Sequence, residues 1–375
     1  MYLGNSIATY KMQIKSIISF LESIAPASLQ ESYDNSGLIV GKPETEVESA
    51  LLCLDCTEEV IQEAISKKAG LVIAHHPIVF SGLKRFNGAN YVQRAVELAI
   101  KNDIAIYAIH TNLDNVLKGV NDRIAERLGL INRRILQPIK GRMLKLVVFC
   151  PVEHSAALRQ AMWDKGCGNI GNYDECSFNL EGTGTFRAAQ GANPFVGKVG
   201  ETHFEKEVRI EVLLQDWNLQ PVLKAMRDHH PYEEVAYDIY RMENEDYTIG
   251  SGLIAELPKP MPATDFLAYL KEKLNTGTIR YTRPPKAEIS KIALCGGSGS
   301  FLLGKAMQSG ADVLVTADFK YHQFFDAEGK IMIADIGHFE SEQFTLELIG
   351  DELRRIFPKF ATHFTSVNTN PINYF

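Results

Sequence analysis

A regular alternation of short apolar runs with amphipathic segments, which begins at Leu51, constrains the fold most strongly. The run LLCLDC is followed by EEVIQEAISKKAG, whose apolar residues recur at helical spacing, and then by the apolar run LVIA. A second helical segment, NYVQRAVELAIKND, and the run IAIYAI repeat the unit. Near-continuous apolar strands separated by amphipathic helices are typical of a sheet that helices cover on both faces. The sequence therefore predicts a layered α/β domain.

The pattern changes after about Pro138 and returns near Gly252. Between these points, strand-like runs alternate with two helical segments in the order strand, helix, strand, and this order occurs twice. That order is typical of a ferredoxin-like α+β domain, and the segment is long enough for one. We therefore predict a core α/β domain that is built from residues 1–140 and 249–375 and is interrupted by an inserted domain at residues 141–248.

Composition narrows the classes of function. The chain has 375 residues and a formal net charge of −7, which gives no reason to expect a nucleic acid as the main partner. We expect no membrane association, because no apolar run approaches the roughly 18 residues of a membrane span, and the first residues lack the pattern of a signal peptide. Several of the six cysteines lie in apolar runs, which suits free thiols in a reducing compartment, so we predict a cytoplasmic protein.

Side chains that can bind metal follow four of the predicted strands. They are His75 and His76, His110 and Asp114, Asp318 and His322, and His338 and Glu342. In layered α/β folds, binding and catalytic groups gather at the carboxyl ends of strands. A lone histidine is more often a structural residue than a ligand. Several such clusters at equivalent strand ends, however, favour a metal site.

The spacing of these residues indicates more than one metal ion. His338 and Glu342 are four residues apart at the start of a long helix that the sequence predicts from about Phe339 to Phe357, so they share one face and can converge on one ion. His75 and His76 are adjacent on a strand, so their side chains diverge and suit two neighbouring ions, with Asp114 or Glu342 between them. Three imidazoles and two carboxylates also exceed the ligand set of a single zinc ion. We therefore predict two divalent ions, and mixed nitrogen and oxygen ligands suit Zn, Fe, Mn, Co or Ni.

Several further residues are candidates for supporting roles. His110, Asp318 and His322 are spare titratable groups near the predicted site, and each could orient a ligand, act as a general acid or base, or be structural. The stretch CGGSGSF follows a predicted strand, and its backbone could either bind an anion or form a tight turn. A second histidine pair, His229 and His230, ends a predicted helix, where capping is expected, so we do not count it as ligands.

The chain resembles the NIF-three-like family, whose members are called GTP cyclohydrolase I type 2 homologs, in its longer bacterial form with an inserted domain. The similarity rests on ESYDNSGLIVG, AHHPIVF, HTNLDN, CGGSGS, TADFKYH and GHFESE, which span both outer segments in order. The resemblance implies a dinuclear metal site, a CutA/PII-like fold for the insert and a ring-shaped homohexamer with metal sites that face an inner cavity. The ligands that it implies are His75, His76, Asp114, His338 and Glu342.

Two functions of different classes follow from these residues. The first is a metal-dependent hydrolase that acts on a nucleotide or a related small molecule. The family name implies GTP cyclohydrolase activity in particular. The second is a non-catalytic ring that metal organises, in which the PII-like insert binds an effector or a partner. The fold alone does not separate the two functions, because function is a property of the site.

Overall fold

The computed structural model describes residues 10–375, so most of the stretch considered for a signal peptide lies outside the described residues. The chain divides into two compact units. One, the core unit, consists of Met1–Pro138 and Tyr247–Phe375, and the other, the insert unit, consists of Ile139–Asp246. No helix within residues 10–375 is both long enough and apolar enough to cross a membrane.

Strands and helices alternate along most of the described chain. The strands are β1 (Met12–Gln13), β2 (Gly37–Val40), β3 (Glu46–Val47), β4 (Ser49–Cys53), β5 (Leu71–Ala74), β6 (Ala105–Ala108), β7 (Ile131–Lys140), β8 (Met143–Pro151), β9 (Phe178–Arg187), β10 (Thr202–Gln215), β11 (Tyr237–Arg241), β12 (Glu245–Pro262), β13 (Arg280–Tyr281), β14 (Glu288–Ser298), β15 (Val313–Ala317), β16 (Met332–Asp335) and β17 (Ala361–Phe364). The α-helices are α1 (Ile14–Ile24), α2 (Glu58–Lys67), α3 (Tyr91–Lys101), α4 (Thr111–Asp114), α5 (Val120–Arg127), α6 (Ser155–Trp163), α7 (Leu219–His229), α8 (Ala263–Lys273), α9 (Leu303–Gln308), α10 (His338–Glu342) and α11 (Thr345–Ile356).

The first sheet of the core unit has the order β17-β4-β5-β6-β2. Strands β17, β4, β5 and β6 are parallel, and β2 is antiparallel to β6. Every residue of β4, β5 and β6 is buried, which explains their unbroken apolar sequences. Helix α2 begins after Thr57, whose side chain accepts a hydrogen bond from the backbone N–H of Val60, and Val60 and Ile61 pack into the core on one side of the sheet.

The second sheet of the core unit has the order β13-β16-β15-β14-β12-β7. Its centre is parallel, because β14, β15 and β16 run in one direction, whereas β12 is antiparallel to β14 and β13 to β16. The sequence analysis did not predict β7, β13 or β17, which lie at sheet edges. The predicted single helix from Phe339 to Phe357 is two helices, α10 and α11. The α/β class of the core is confirmed, with these two large sheets and a third, two-stranded sheet of β1 and β3 in the core unit.

The insert unit contains one antiparallel sheet of order β11-β8-β10-β9. Along the chain its elements run β8, α6, β9, β10, α7, β11, which is the ferredoxin-like βαββαβ arrangement. Alternate apolar residues of β8 and β10, such as Leu146 and Ile210, pack against Leu158 and Val222 of the helices. The sequence suggests a loop or hairpin for the glycine-rich stretch at residues 182–200, and only its first six residues belong to β9, which pairs with β10.

Candidate metal centre

The candidate site of the core unit lies where parallel strands of both sheets end. Strand β5 leads directly into His75 and His76, and β6 leads into His110 and the short helix α4, which ends at Asp114. In the second sheet, β15 leads into Asp318, and β16 leads into α10, which carries His338 and Glu342. The parallel direction of these strands places their carboxyl ends at the same edge of each sheet.

His75 is fully buried, and one of its ring nitrogens is fixed by the backbone. Its Nδ1 donates to the carbonyl oxygen of Ile109 at 2.8 Å, which leaves Nε2 with a lone pair. Burial, which outweighs the opposing effect of Glu342 and is reinforced by the neighbouring His76 and His110, lowers the pKa of this imidazole to about 3. His75 is therefore a neutral ring, the state in which histidine binds a metal ion.

His76 is held by a carboxylate that the sequence analysis did not single out. Its Nδ1 donates to Asp55 Oδ1 at 2.8 Å, and its Nε2 lies 2.9 Å from Glu342 Oε2. Burial opposes the charged form of His76, but the hydrogen bonds to Asp55 and Glu342 outweigh it and raise the pKa to about 9. Asp55 Oδ2 in turn accepts a hydrogen bond from the Thr369 hydroxyl at 2.7 Å.

His338, which follows β16 of the second sheet, is also held by one carboxylate at Nδ1 and lies near Glu342 through Nε2. Its Nδ1 donates to Asp318 Oδ2 at 2.6 Å, and Asp318 also accepts from the Ser298 hydroxyl at 2.6 Å. Burial opposes the charge on His338, but the bonds to Asp318 and Glu342 raise its pKa to about 11. Asp318 has a φ of 59°, in the left-handed region, so the chain turns sharply where β15 ends.

Glu342 stands between the histidines. Its Oε2 lies 2.9 Å from His76 Nε2, 3.1 Å from His338 Nε2 and 3.9 Å from His75 Nε2. Asp114 Oδ1 lies 3.7 Å from His75 Nε2. Burial raises the pKa of Asp114, and the charge of Glu342 raises it further.

Two buried polar atoms at this centre have no hydrogen-bond partner among the described residues, His75 Nε2 and Asp114 Oδ1. A buried polar atom without a partner is costly, so such a pair calls for another ligand. In addition, two sets of side chains have donor atoms that all lie within 4.8 Å of one another: His75, His76 and His110, and His76, His338 and Glu342. Nitrogen and carboxylate donors at this spacing fit divalent metal ions.

His110 belongs to the same cluster through a separate carboxylate. Its ring lies 5.3 Å from that of His75 and 5.2 Å from that of His76, and its Nδ1 donates to Asp34 Oδ1 at 2.8 Å. Burial raises the pKa of Asp34, but the hydrogen bonds from His110 and Thr111 outweigh it, so the pKa is lowered. Asp34 is therefore a fixed anion that orients His110.

The structure brings together most, but not all, of the residues that the sequence singled out. The five predicted ligands, His110 and Asp318 lie in one cluster. His322 does not: it is exposed on a turn of 3-10 helix, where its ring lies against Tyr321 and Phe325. Asp55 was missed because the predicted strand LLCLDC includes it, whereas β4 ends at Cys53 and Asp55 lies two residues beyond that end.

Two other motifs have structural explanations. In CGGSGS, the N–H of Gly296 donates to Asn121 and that of Gly297 to Ser341, each at 2.9 Å, so these groups are not free to bind an anion. In the insert unit, His229 donates to the carbonyl of Ala225, which is the expected capping role, and His230 bonds to the carbonyl of Phe149.

The cluster of histidine and carboxylate side chains opens into a cavity of about 660 Å³ in the core unit. His76, His110, Asp114, His338 and Glu342 all line it. A pocket of this size accommodates a small organic molecule next to the cluster.

Comparison with known proteins identifies relatives along the whole chain. The profile of the family described as Duf34/NIF3 (NGG1p interacting factor 3) matches residues 12–371. A Halalkalibacterium halodurans protein named GTP cyclohydrolase 1 type 2 homolog is 38% identical over 367 residues, which cover 96% of this chain and 98% of that protein. A Bacillus subtilis protein of the same name is 36% identical over 364 residues, 96% of this chain and 97% of that protein.

Solved structures agree with this result. A crystal structure of a Bacillus cereus protein related to NIF3 superposes with a TM-score of 0.86 at 37% identity, and the match covers 97% of this chain and 99% of that chain. Staphylococcus aureus protein SA1388 superposes with a TM-score of 0.76 at 29% identity, with 97% and 99% covered. The fold described above is therefore shared along nearly the full length of these proteins.

Proposed function

Because this chain belongs to the Duf34/NIF3 family, we propose that it binds two divalent metal ions and uses them to hydrolyse a nucleotide or a related small molecule. One observation supports the proposal above all. Four histidines surround the acidic residues Glu342 and Asp114, and the Nδ1 of each histidine is already fixed by a carboxylate or a carbonyl. Metal-binding histidines are oriented in this way in other proteins.

We assign the proposed ligands to two ions that share Glu342. His75, Asp114 and Glu342 would hold one ion, and His76, His338 and Glu342 would hold the other. The unpartnered Nε2 of His75 and Oδ1 of Asp114 support the first assignment. The short distances from Glu342 to His76 and His338 support the second. Mixed nitrogen and oxygen donors accept Zn, Fe, Mn, Co or Ni, so the proposal does not depend on one metal.

The residues around the ligands would support a hydrolytic reaction. Two divalent cations, if held by these residues, would supply Lewis acidity and a nucleophile at neutral pH. The Nδ1–H of His110 donates to Asp34, so Nε2 is the ring nitrogen that would exchange a proton with a molecule in the cavity. Asp318 holds His338 in the orientation that directs its Nε2 to the cluster, so we assign it a positioning role. We assign no catalytic role to His322.

The resemblance suggests further properties, which we propose here. The proposed ring-shaped homohexamer would place several metal centres in one assembly. We propose a CutA/PII-like fold for the inserted domain at residues 141–248, which the βαββαβ order supports, and a cytoplasmic location, which the six free cysteines support. The core domain would then consist of residues 1–140 and 249–375.

The test is turnover by matched histidine variants. We would load the full-length protein with each candidate metal and assay a panel of nucleotides, GTP included, nucleosides, free bases and phosphoesters. His76→Ala should abolish metal-dependent turnover and lower the bound metal. The control is His229→Ala, which changes the first histidine of the other His-His-Pro sequence and should leave both unchanged.

Two results would contradict the proposal. If the loaded wild-type protein turns over none of the panel, the hydrolase assignment fails, and a metal-organised, non-catalytic ring becomes the better description. If the wild-type protein takes up no divalent ion at all, the metal centre itself is refuted.

A further inference from the structure

The walls of the metal-centre cavity are aromatic and largely exposed. Tyr33, Phe80, Tyr91 and Phe301 line it, and their side chains are 68%, 53%, 58% and 63% exposed. Apolar surface on this scale beside a polar cluster is costly in water unless a ligand covers it. Aromatic rings stack well against other planar rings, and such contacts stabilise a complex through both area and geometry.

Phe80 belongs to the aromatic walls of the cavity and also contacts a histidine of the candidate metal centre. Its ring meets that of His110 edge to face, with the centroids 5.7 Å apart. A planar molecule that stacks on Phe80 would therefore have its edge beside His110 and the proposed ligands. Polar side chains of the cavity add little to recognition, since Asn115 already donates to Leu29 and Glu31, and Ser251 donates to Asn115.

Carboxylates dominate the charge of the cavity, and the two lining histidines whose pKa is raised, His76 and His338, are each paired with two carboxylates. Its lining includes the carboxylates of Glu31, Asp55, Asp114 and Glu342, and among the described residues it includes no lysine and no arginine. Proteins that recognise phosphate chains use arginine or lysine side chains for them. Among the residues that the structure describes, this cavity therefore offers a triphosphate neither a lysine nor an arginine side chain.

From these observations we propose that the cavity selects a planar heteroaromatic molecule by stacking on Phe80 and the neighbouring aromatic residues, and that its side chains do not recognise a polyphosphate chain. The proposal rests on the hydrolase function proposed above and narrows its substrate class to nucleosides, free bases and similar ring compounds. Any anionic group on such a substrate would have the bound metal ions as its only cationic partners.

The first test compares ring compounds with phosphorylated ones. Equilibrium dialysis would use the full-length protein, both metal-loaded and chelator-treated, with adenosine, guanosine and nicotinamide as ring probes. Adenosine triphosphate and ribose 5-phosphate would be the phosphorylated probes. We expect at least one ring probe to bind both forms of the protein. In the chelator-treated form, we expect adenosine triphosphate to bind no more tightly than adenosine and ribose 5-phosphate to bind more weakly than either.

Variants of the aromatic residues test the stacking itself. Phe80→Ala and Phe301→Ala should each weaken ring binding by about fivefold or more, the scale of a lost base-stacking contact. Phe325→Ala is the matched control, since Phe325 is 65% exposed but does not line this cavity. If a second copy of the chain covered the cavity instead, Phe80→Ala would change the oligomeric state and not ring binding, which would overturn the proposal.

An added positive charge tests the second part of the proposal, that the side chains of the cavity do not recognise a polyphosphate chain. Ile372 lines the cavity and is exposed, so Ile372→Lys should raise the affinity for adenosine triphosphate relative to adenosine by about fivefold or more in the chelator-treated protein. Ile356→Lys, at an exposed position that does not line the cavity, should not. Tighter binding of the triphosphate than of adenosine by chelator-treated wild-type protein would overturn the proposal, as would failure of all three ring probes to bind. Both results are independent of metal uptake and turnover, which test the hydrolase function separately.

Discussion

For single residues, the partner of one imidazole nitrogen decides what the other nitrogen can do. Asp55 fixes His76, Asp318 fixes His338, Asp34 fixes His110, and a backbone carbonyl fixes His75. Each ring is thus held in one orientation before any ion arrives, with its Nδ1 proton directed at a fixed acceptor. Ordering the rings in advance reduces the entropy that metal binding must otherwise overcome.

Removal of one such partner should weaken the metal centre without removing a ligand. In Asp55→Asn, His76 loses the carboxylate that orients its ring, so we expect affinity for a divalent ion to fall by about 10- to 100-fold. Isothermal titration with Zn²⁺ would measure the change. Asp351→Asn, which alters an exposed carboxylate paired with Arg123, is the control and should leave the affinity unchanged. Equal affinities for Asp55→Asn and the wild type would show that Asp55 does not support the site.

A glycine next to Glu342 also constrains the centre. Gly297 has a φ of +61°, and a Cβ at this position would lie 2.4 Å from Glu342 Oε1 and 3.1 Å from His338 Cε1. Gly297→Ala should therefore displace the shared carboxylate and strain the turn. We expect the metal content, measured by mass spectrometry of the purified protein, to fall by at least half.

The matched control for this variant is Gly304→Ala. Gly304 lies in α9, and a Cβ there would meet no heavy atom within 4 Å. Its metal content should equal that of the wild type. If Gly297→Ala folds and retains its full metal content, the close packing around Glu342 is not needed for binding.

The sequence identifies those residues of the centre that follow an apolar strand. It does not identify residues that reach the centre only through contacts between distant parts of the chain. The polar residues that follow apolar strand runs, such as His75 and Asp114, follow from the strand pattern alone. Asp34 belongs to the cluster only because its carboxylate reaches His110 across 76 positions of sequence. His322 follows a strand as the others do, but its segment forms an exposed 3-10 turn, which the strand pattern does not reveal.

For secondary structure elements, helix α10 shows how a short segment can position two groups. His338 and Glu342 lie four residues apart on this one-turn helix, as their spacing predicts. The sequence predicted one long helix because the apolar periodicity continues into α11. The junction is fixed by a contact that periodicity does not encode, since the side chain of Gln343 donates to the carbonyl of Leu274.

Helix α2 fixes the end of the last strand through one carboxylate. Glu63 accepts hydrogen bonds from the hydroxyl and backbone N–H of Ser366 and from Thr365, the two residues that follow β17, and it pairs with Lys67. Burial raises the pKa of Glu63, but these bonds outweigh it and lower the pKa to about 2. The charged form of Glu63 is therefore favoured in the folded protein.

Glu63→Gln should destabilise the protein in a pH-dependent way. We expect a loss of about 1–3 kcal/mol in the free energy of unfolding near pH 7, the scale of hydrogen bonds to a charged group. Because the folded pKa is depressed, this contribution is present above the ordinary glutamate pKa near 4.5 and is lost as the pH falls towards 2. The difference between wild type and variant, measured by urea unfolding, should therefore narrow between pH 5 and pH 3.

Glu97→Gln is the control for this prediction. Glu97 also pairs with a lysine four residues on, Lys101, but on an exposed helix surface. Exposed pairs of this kind contribute little, so we expect a change below about 0.5 kcal/mol at either pH. A Glu63→Gln variant that is as stable as Glu97→Gln at pH 7 would refute the role of Glu63.

For the whole molecule, the proposed ligands connect distant parts of the chain. His75 and Asp114 come from the first outer segment, and His338 and Glu342 come from the second. The pairing of β17 with β4 also joins the two segments in one sheet. The sequence pattern identified both segments as α/β, but the strand order across them depends on long-range contacts that local periodicity does not specify.

Metal binding should therefore stabilise the core unit selectively, and the chain carries a natural reporter for this effect. Both tryptophans of the protein, Trp163 and Trp217, lie in the insert unit. Tryptophan fluorescence thus follows the insert unit, whereas calorimetry follows both units. An ion present at about 100 times its dissociation constant adds about 2.7 kcal/mol to the stability of the unit that binds it.

In differential scanning calorimetry, we expect saturating Zn²⁺ to raise the core transition by about 5–10 °C relative to chelator-treated protein. The fluorescence-detected transition of the insert unit should move by less than about 2 °C, because ligand binding stabilises only the unit that contains the site. His76→Ala should abolish the calorimetric shift, and His229→Ala in the insert unit should preserve it. An equal shift in both signals would show that the two units unfold together, and no shift in either would contradict metal binding by the folded core.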